Sequence, residues 1–265
     1  MEIWWQGKSC GTWTTVCSLW VSTAVSRGER FRRKSSKMST VGSDALAKAL
    51  TELGVTNLVF IRHANAAPIV AGGPRADQPH DWKMRDQMRG LTQKGREQCA
   101  ASKVYLAPFA VKANLTSPAR RASDTAVYMA KTTASGDIFL RMIEGVHPAG
   151  MSTVCEDLFD TMGYGPLRKF FETEGGKDAF CDYAQRVCAE MAAKIGGPSF
   201  ERDAPEGDTI CIYGHAVFLN AIVFTIGTSL GVADTESLLL DIDLGETQGI
   251  HIDIAAKTIT HLKVE

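Results

Sequence analysis

From residue 43 onward, apolar runs alternate with stretches of helical spacing along most of the chain. The segments "TNLVFIR" (56–62), "VKANLTS" (111–117), "DIFLRMI" (137–143) and "DTICIYG" (208–214) have the largely apolar character of buried strands. Predicted helices lie between them. "SDALAKALTELG" (43–54) offers Ser43 or Asp44 as cap and Gly54 as stop. "LTQKGREQCAASKVYLAPF" (91–109) has Thr92 in the N-cap position, and "PARRASDTAVYMAKTT" (118–133) places Pro118 in a first turn, where proline is tolerated. Residues 153–195 read as mainly helical, broken near "GYGP" and "EGGKD", and "HAVFLNAIVFTIG" (215–227) as an apolar helix. The tail, 237–265, alternates like strands joined by turns at Gly245 and Ala255-Ala256. Residues 65–90 are rich in Pro, Gly and charge and read as a long loop, of the kind that is functional or mobile.

Alternating strands and helices predict an α/β fold, a three-layer sandwich around a mainly parallel sheet. In such sheets ligands bind beyond the carboxyl ends of the strands. Three predicted strands end in polar chemistry: the first in Arg62-His63, the second in Ser117 followed by Arg120-Arg121, the fourth in Gly214-His215. Arginine presents a planar fork of donors that fits phosphoryl oxygens, and a histidine is a nucleophile when neutral and a donor when protonated. The convergence of these cationic strand ends predicts an anion site. No acidic metal-binding cluster and no G-x-x-x-x-G-K-[ST] loop accompany it, so no metal and no cofactor are expected.

Composition changes the picture only at the start of the chain. Apolar residues make up 45% and charged residues 22%, as in ordinary globular proteins, and a net charge of −1 gives no reason to expect nucleic acid as a partner. Residues 1–37, however, hold seven Lys/Arg, two acids and four of the five tryptophans. Two readings stand: a targeting segment, organellar for example, or an extension ahead of a functional chain that opens at Met38. The run from Ser9 to Ser26 is too rich in Ser and Thr for a stable membrane span. The expected organisation is an N-terminal extension, 1–40, and a single domain, 41–265. Seven cysteines without a CxxC pair suggest reduced core thiols and a cytoplasmic setting.

"FIRHANA", "LTQKG", "SPARRASDTA" and "IYGHA", in this order, resemble the histidine phosphatase superfamily, which includes the phosphoglycerate mutases. The resemblance extends from about Asn57 to the C-terminus. It implies a phosphoglycerate mutase-like fold and a metal-independent phosphomonoesterase (or phosphohistidine phosphatase) that acts on a phosphorylated small molecule or phosphoprotein. His63 would carry the phosphoryl group, with Arg62, Arg121 and His215 holding its oxygens. Arg121 rather than Arg120 fits the S-P-x-x-R-A pattern. Glu144, in "LRMIEG", would protonate the leaving oxygen. Ala64 and Ala216, which follow the two histidines, are more similar to the small phosphohistidine-phosphatase-like branch than to mutases or acid phosphatases. A phosphoglycerate mutase-type transferase and an inactive phosphate- or phosphoprotein-binding module are the alternatives. Asn65 is expected either to bond a phosphoryl oxygen or to fix the turn. Arg89, His80, Lys83 and Arg85 read as solvated loop charges, Arg120 as a surface helix residue, and His147, His251 and His261 as structural.

Overall fold

The computed structural model describes residues 40–69, 84–130, 138–147 and 153–264. The chain divides into two units, and the description below concerns the one that runs from Lys37 to Glu265. The readings of residues 1–37, His80 and Lys83 lie outside the described residues.

Six strands form one sheet: β1 (Asn57–Arg62), β2 (Val111–Thr116), β3 (Leu140–Met142), β4 (Thr209–Gly214), β5 (Gly249–Asp253) and β6 (Thr258–Leu262). Their spatial order is β3-β2-β4-β1-β5-β6. The pairs β3–β2, β2–β4 and β4–β1 are parallel, whereas β1–β5 and β5–β6 are antiparallel. The sheet is thus mainly parallel, as the alternation of elements predicts. The four strands predicted ahead of the tail are present, with β3 at one edge of the sheet, and β5–β6 is a hairpin around the expected turn at 255–256.

The helices are α1 (Val41–Glu52), α2 (Gln93–Ser102), α3 (Arg120–Met129), α4 (Thr153–Met162), α5 (Leu167–Phe171), α6 (Gly176–Ile195), α7 (Pro198–Asp203), α8 (Ala216–Ser229) and α9 (Thr235–Leu239). The period-two geometry of the strands sorts them into layers. Leu58 and Phe60 of β1 join Ile210 and Ile212 of β4 in a core with side chains of α1, α6 and α8. Val59, Ile61, Cys211 and Tyr213 point the other way, onto Cys99, Ala126 and Met129 of α2 and α3. A strand buried on both faces needs apolar residues at every position, which is why β1 and β4 read as unbroken runs. The five described cysteines are buried free thiols, as expected of core residues. No helix among the described residues is long and apolar enough to cross a membrane.

Three local expectations are corrected. Helix α1 begins at Val41, before Ser43 and Asp44, and Ser43 is buried with its backbone N–H donating to Gln185. Helix α3 begins after Pro118 and Ala119 rather than on Pro118. The segment 237–244 is not a strand: it closes α9 and runs on as turn and loop. Leu240 and Leu244 are buried four residues apart while Leu238 is exposed, a helical rather than alternating pattern, and the carbonyls of Leu240 and Ile242 accept hydrogen bonds from the Arg168 backbone and the Asn220 side chain.

Candidate active site

The sheet register sets the site. Arg62 pairs with Gly214 and Thr116 with Tyr213, so β1, β2 and β4 end level. Backbone bonds extend the alignment one residue further: His63 N–H donates to Gly214 O and Ser117 N–H to Tyr213 O, both at 2.9 Å. The side chains of His63 and His215 therefore leave the sheet together, with Arg121 arriving from the first turn of α3. His215 occupies the N-cap position of α8 without capping it, which leaves its ring free for the cavity.

The three side chains form one hydrogen-bonded cluster. The His63 Nδ1–H donates to Ala64 O at 2.8 Å, which leaves Nε2 unprotonated, and that atom accepts from Arg121 Nε at 3.2 Å. Arg121 Nη2 lies 3.3 Å from His215 Nδ1, and the opposite ring nitrogen, Nε2, bonds Ser117 Oγ at 2.9 Å. The two imidazole centroids are 5.2 Å apart. Burial, then the charge of Arg121, then Arg62 and Arg89, lower the His63 pKa to about 3, against a single raising contribution from Ala64 O. His215 is driven well below its usual value by burial first and Arg121 second. Both rings are free bases at neutral pH.

Around them lies a cavity of about 740 Å³ that Arg62, Arg89, Tyr164 and Phe218 also line. Arg62 donates through Nη1 to Leu244 O, while its buried Nε has no partner. An unpaired buried guanidinium donor beside an unprotonated imidazole is what an anion would satisfy. Arg121 is already partly engaged, donating to Asp86 O at 2.7 Å and Asp86 Oδ2 at 3.0 Å. Burial pushes the Asp86 carboxyl up, but the facing His147 ring, the charge of Arg121 and bonds from Arg89 and Arg121 outweigh it and hold Asp86 well below the usual carboxylate range. No group of three or more His, Cys, Asp or Glu among the described residues is arranged to hold a metal ion.

The structure brings Arg62, His63, Arg121 and His215 together as the sequence predicts, and sets two expected residues apart from the chemistry. Glu144 is exposed and does not line the cavity; it opens a short 3-10 turn, Glu144–Val146, whose backbone N–H groups are held by the Glu190 carboxylate. Asn65 does line the cavity, but its carboxamide is occupied at both ends: Nδ2 donates to Glu246 at 2.8 Å and Oδ1 accepts from Thr92 at 2.6 Å. It fixes the turn. Thr92 also caps α2 by accepting from Gly95 N–H, and a Cβ at Gly95 would lie 2.2 Å from Asn65 O, so glycine is what lets the helix sit against the turn.

Arg89 is no solvated loop charge, because it donates to Asp86 Oδ1 and Ala67 O. Arg120 is a surface residue beside Asp124, and His251 bonds Asn57, as expected of structural side chains. Sequence reasoning missed Asp86, which lies in a helical turn (84–87) inside the stretch expected to be a loop and belongs to no recognisable spacing. It also missed His147, a buried cavity-lining residue three positions after Glu144.

The α/β sandwich thus sets two histidines and Arg62 at level strand ends, with Arg121 beside them from the first turn of α3, around one cavity. Residues 58–144 match the family model of the Histidine phosphatase superfamily (branch 1). No curated protein matches the chain significantly. Among solved structures, the chain is similar to mycobacterial glucosyl-3-phosphoglycerate phosphatase, at 16% identity over 78% of this chain and 97% of that chain, with a TM-score of 0.45. It is also similar to phosphoserine phosphatase from Entamoeba histolytica in complex with 3-phosphoglyceric acid, at 14% identity over 79% and 96% of the two chains, with a TM-score of 0.41. A protein assigned as the phosphohistidine phosphatase SixA from Agrobacterium tumefaciens is 15% identical over 75% of this chain and 91% of that chain, with a TM-score of 0.40.

Proposed function

We propose that the chain is a metal-independent phosphomonoesterase that works through a phosphohistidine on His63. The observation that carries this reading is the unprotonated Nε2 of His63, held by its own Nδ1–H bond and set beside Arg121 and the unpaired Nε of Arg62. Phosphoryl transfer places charge on equatorial oxygens, so fixed cations and donors supply most of the catalysis. On substrate entry Arg121 Nε would turn from the imidazole lone pair to a phosphoryl oxygen. Arg62 Nε and His215 would bind the others. The released Nε2 pair then attacks phosphorus, and water later attacks the phosphohistidine.

The test is hydrolysis of p-nitrophenyl phosphate in EDTA by the wild-type protein and His63→Ala. Turnover is expected for the first and a fall to background for the second, with acid-labile phosphate trapped on the wild-type chain alone. Strict metal dependence, or activity retained in His63→Ala, overturns the reading. In the same panel, conversion of 3-phosphoglycerate with its bisphosphate primer would mark a mutase, and phosphate binding without turnover would mark a binding module.

A further inference from the structure

With Glu144 outside the cavity, the leaving oxygen lacks an obvious proton source, and the geometry points to His147 as the catalytic acid and base, held by Asp86. This inference rests on the phosphatase reading above. Four observations support it. The His147 side chain is buried, lines the cavity and packs edge-on against His215 with ring centroids 5.2 Å apart. His147 Nε2 lies 3.8 Å from Asp86 Oδ2. Its other ring nitrogen, Nδ1, is buried without a hydrogen-bond partner. The turn that carries it is also clamped: Glu190 accepts from the N–H groups of Glu144 and Gly145 at 2.7 and 2.8 Å, and Tyr183 Oη donates to Gly145 O at 2.8 Å.

Gly214 lets that turn approach. A Cβ at this position would lie 2.6 Å from Val146 Cγ1, so the bare strand end admits the residue just before His147. The imidazole has one nitrogen facing a carboxylate and the other without a partner, and a carboxylate on one nitrogen is how a buried acid orients a histidine whose other nitrogen handles the proton.

The steps balance as follows. The His63 Nε2 lone pair forms a bond to phosphorus as the bond from phosphorus to the leaving oxygen breaks. The electron pair of that broken bond goes to the oxygen, which takes the proton from Nδ1 of the His147 imidazolium. In the second step water forms a new bond to phosphorus and gives its proton to the neutral Nδ1, while the pair of the N–P bond returns to His63. Both histidines end as they began. Asp86 touches neither substrate atom; as a positioning residue it faces His147 Nε2 and fixes the ring's orientation.

The experiment compares kcat/KM of wild type, His147→Gln and Glu144→Gln on a leaving-group series, from 2,4-dinitrophenyl phosphate through phenyl phosphate to glycerol 2-phosphate. An alkoxide needs a proton and dinitrophenolate does not. His147→Gln is expected to lose roughly 100- to 10,000-fold on the alkyl ester, the range for general acid catalysis. It should stay within a few-fold of wild type on the dinitrophenyl ester, where attack on phosphorus limits. That second substrate also shows that the variant is folded. Glu144→Gln should match wild type throughout, and Asp86→Asn should steepen the leaving-group dependence as His147→Gln does. An equal loss across the series for His147→Gln, or the leaving-group signature appearing in Glu144→Gln instead, overturns the assignment. Neither result touches the role of His63, whose own variant tests the phosphatase reading separately.

Discussion

At the scale of single residues, the site is held together by groups that refuse protons. His63 keeps its free-base form because a charged ring would be stripped of water beside three guanidinium groups. This has a consequence for stability. The unfolded chain takes up a proton on this ring below about pH 6.5, whereas the folded protein does so only at about 3, so the unfolded state binds more protons across that interval. The contribution is complete above about pH 6.5 and declines as pH falls, by at most about 1.4 kcal/mol per pH unit for such a group. His215 acts in the same direction. Melting curves should show Tm falling between pH 6.5 and 4, with a shallower fall in His63→Asn; parallel curves would remove His63 as the cause. His63, Arg62, Arg121 and His215 were legible because each ends a strand or opens a helix within a motif. Asp86 and His147 were not, since they meet from two short helical turns far apart in sequence, where spacing along the chain says nothing about separation in space.

Elements matter because they carry these side chains to one place. The Thr92 hydroxyl accepts from Gly95 N–H at the start of α2 and donates to Asn65 Oδ1 two residues beyond His63. One side chain thereby joins a helix cap to the catalytic turn. Thr92→Ala is expected to cost about 1–2 kcal/mol in urea unfolding, the usual penalty for a lost cap, and to lower kcat/KM several-fold as the turn loosens. Thr92→Ser should keep both. Stability lost with kcat/KM unchanged would separate the cap from the site. The cap was readable from the sequence, as were the strands buried on both faces. The leucines of 237–240 were misread because a short apolar run suits a strand or a helix turn equally, and contacts from Arg168 and Asn220, distant in sequence, decide between them.

For the whole molecule, the sheet, its helices and the described lining of the cavity belong to the unit from Lys37 to Glu265. We propose that residues 41–265 are the catalytic domain and that residues 1–40 have no part in the chemistry. A chain starting at Met38 should match the full-length protein in kcat/KM and within about 2 °C in Tm, a margin below the shift that 1 kcal/mol produces in a domain of this size. Loss of activity on truncation would give the N-terminal segment a role in catalysis. The fold class and its layers followed from the order of elements, but the cavity's apolar wall of Phe159, Tyr164 and Phe218 did not, because side chains from α4, the bend after it and α8 compose it. The bond from His63 N–H to Gly214 O ties His63 to the end of the central β1–β4 ladder. Backbone amides of central strands open at free energies that approach that of global unfolding. On the proposed reading, heat is therefore expected to release His63 from the strand end only as the sheet itself gives way, so that loss of activity and loss of the sheet should coincide on melting.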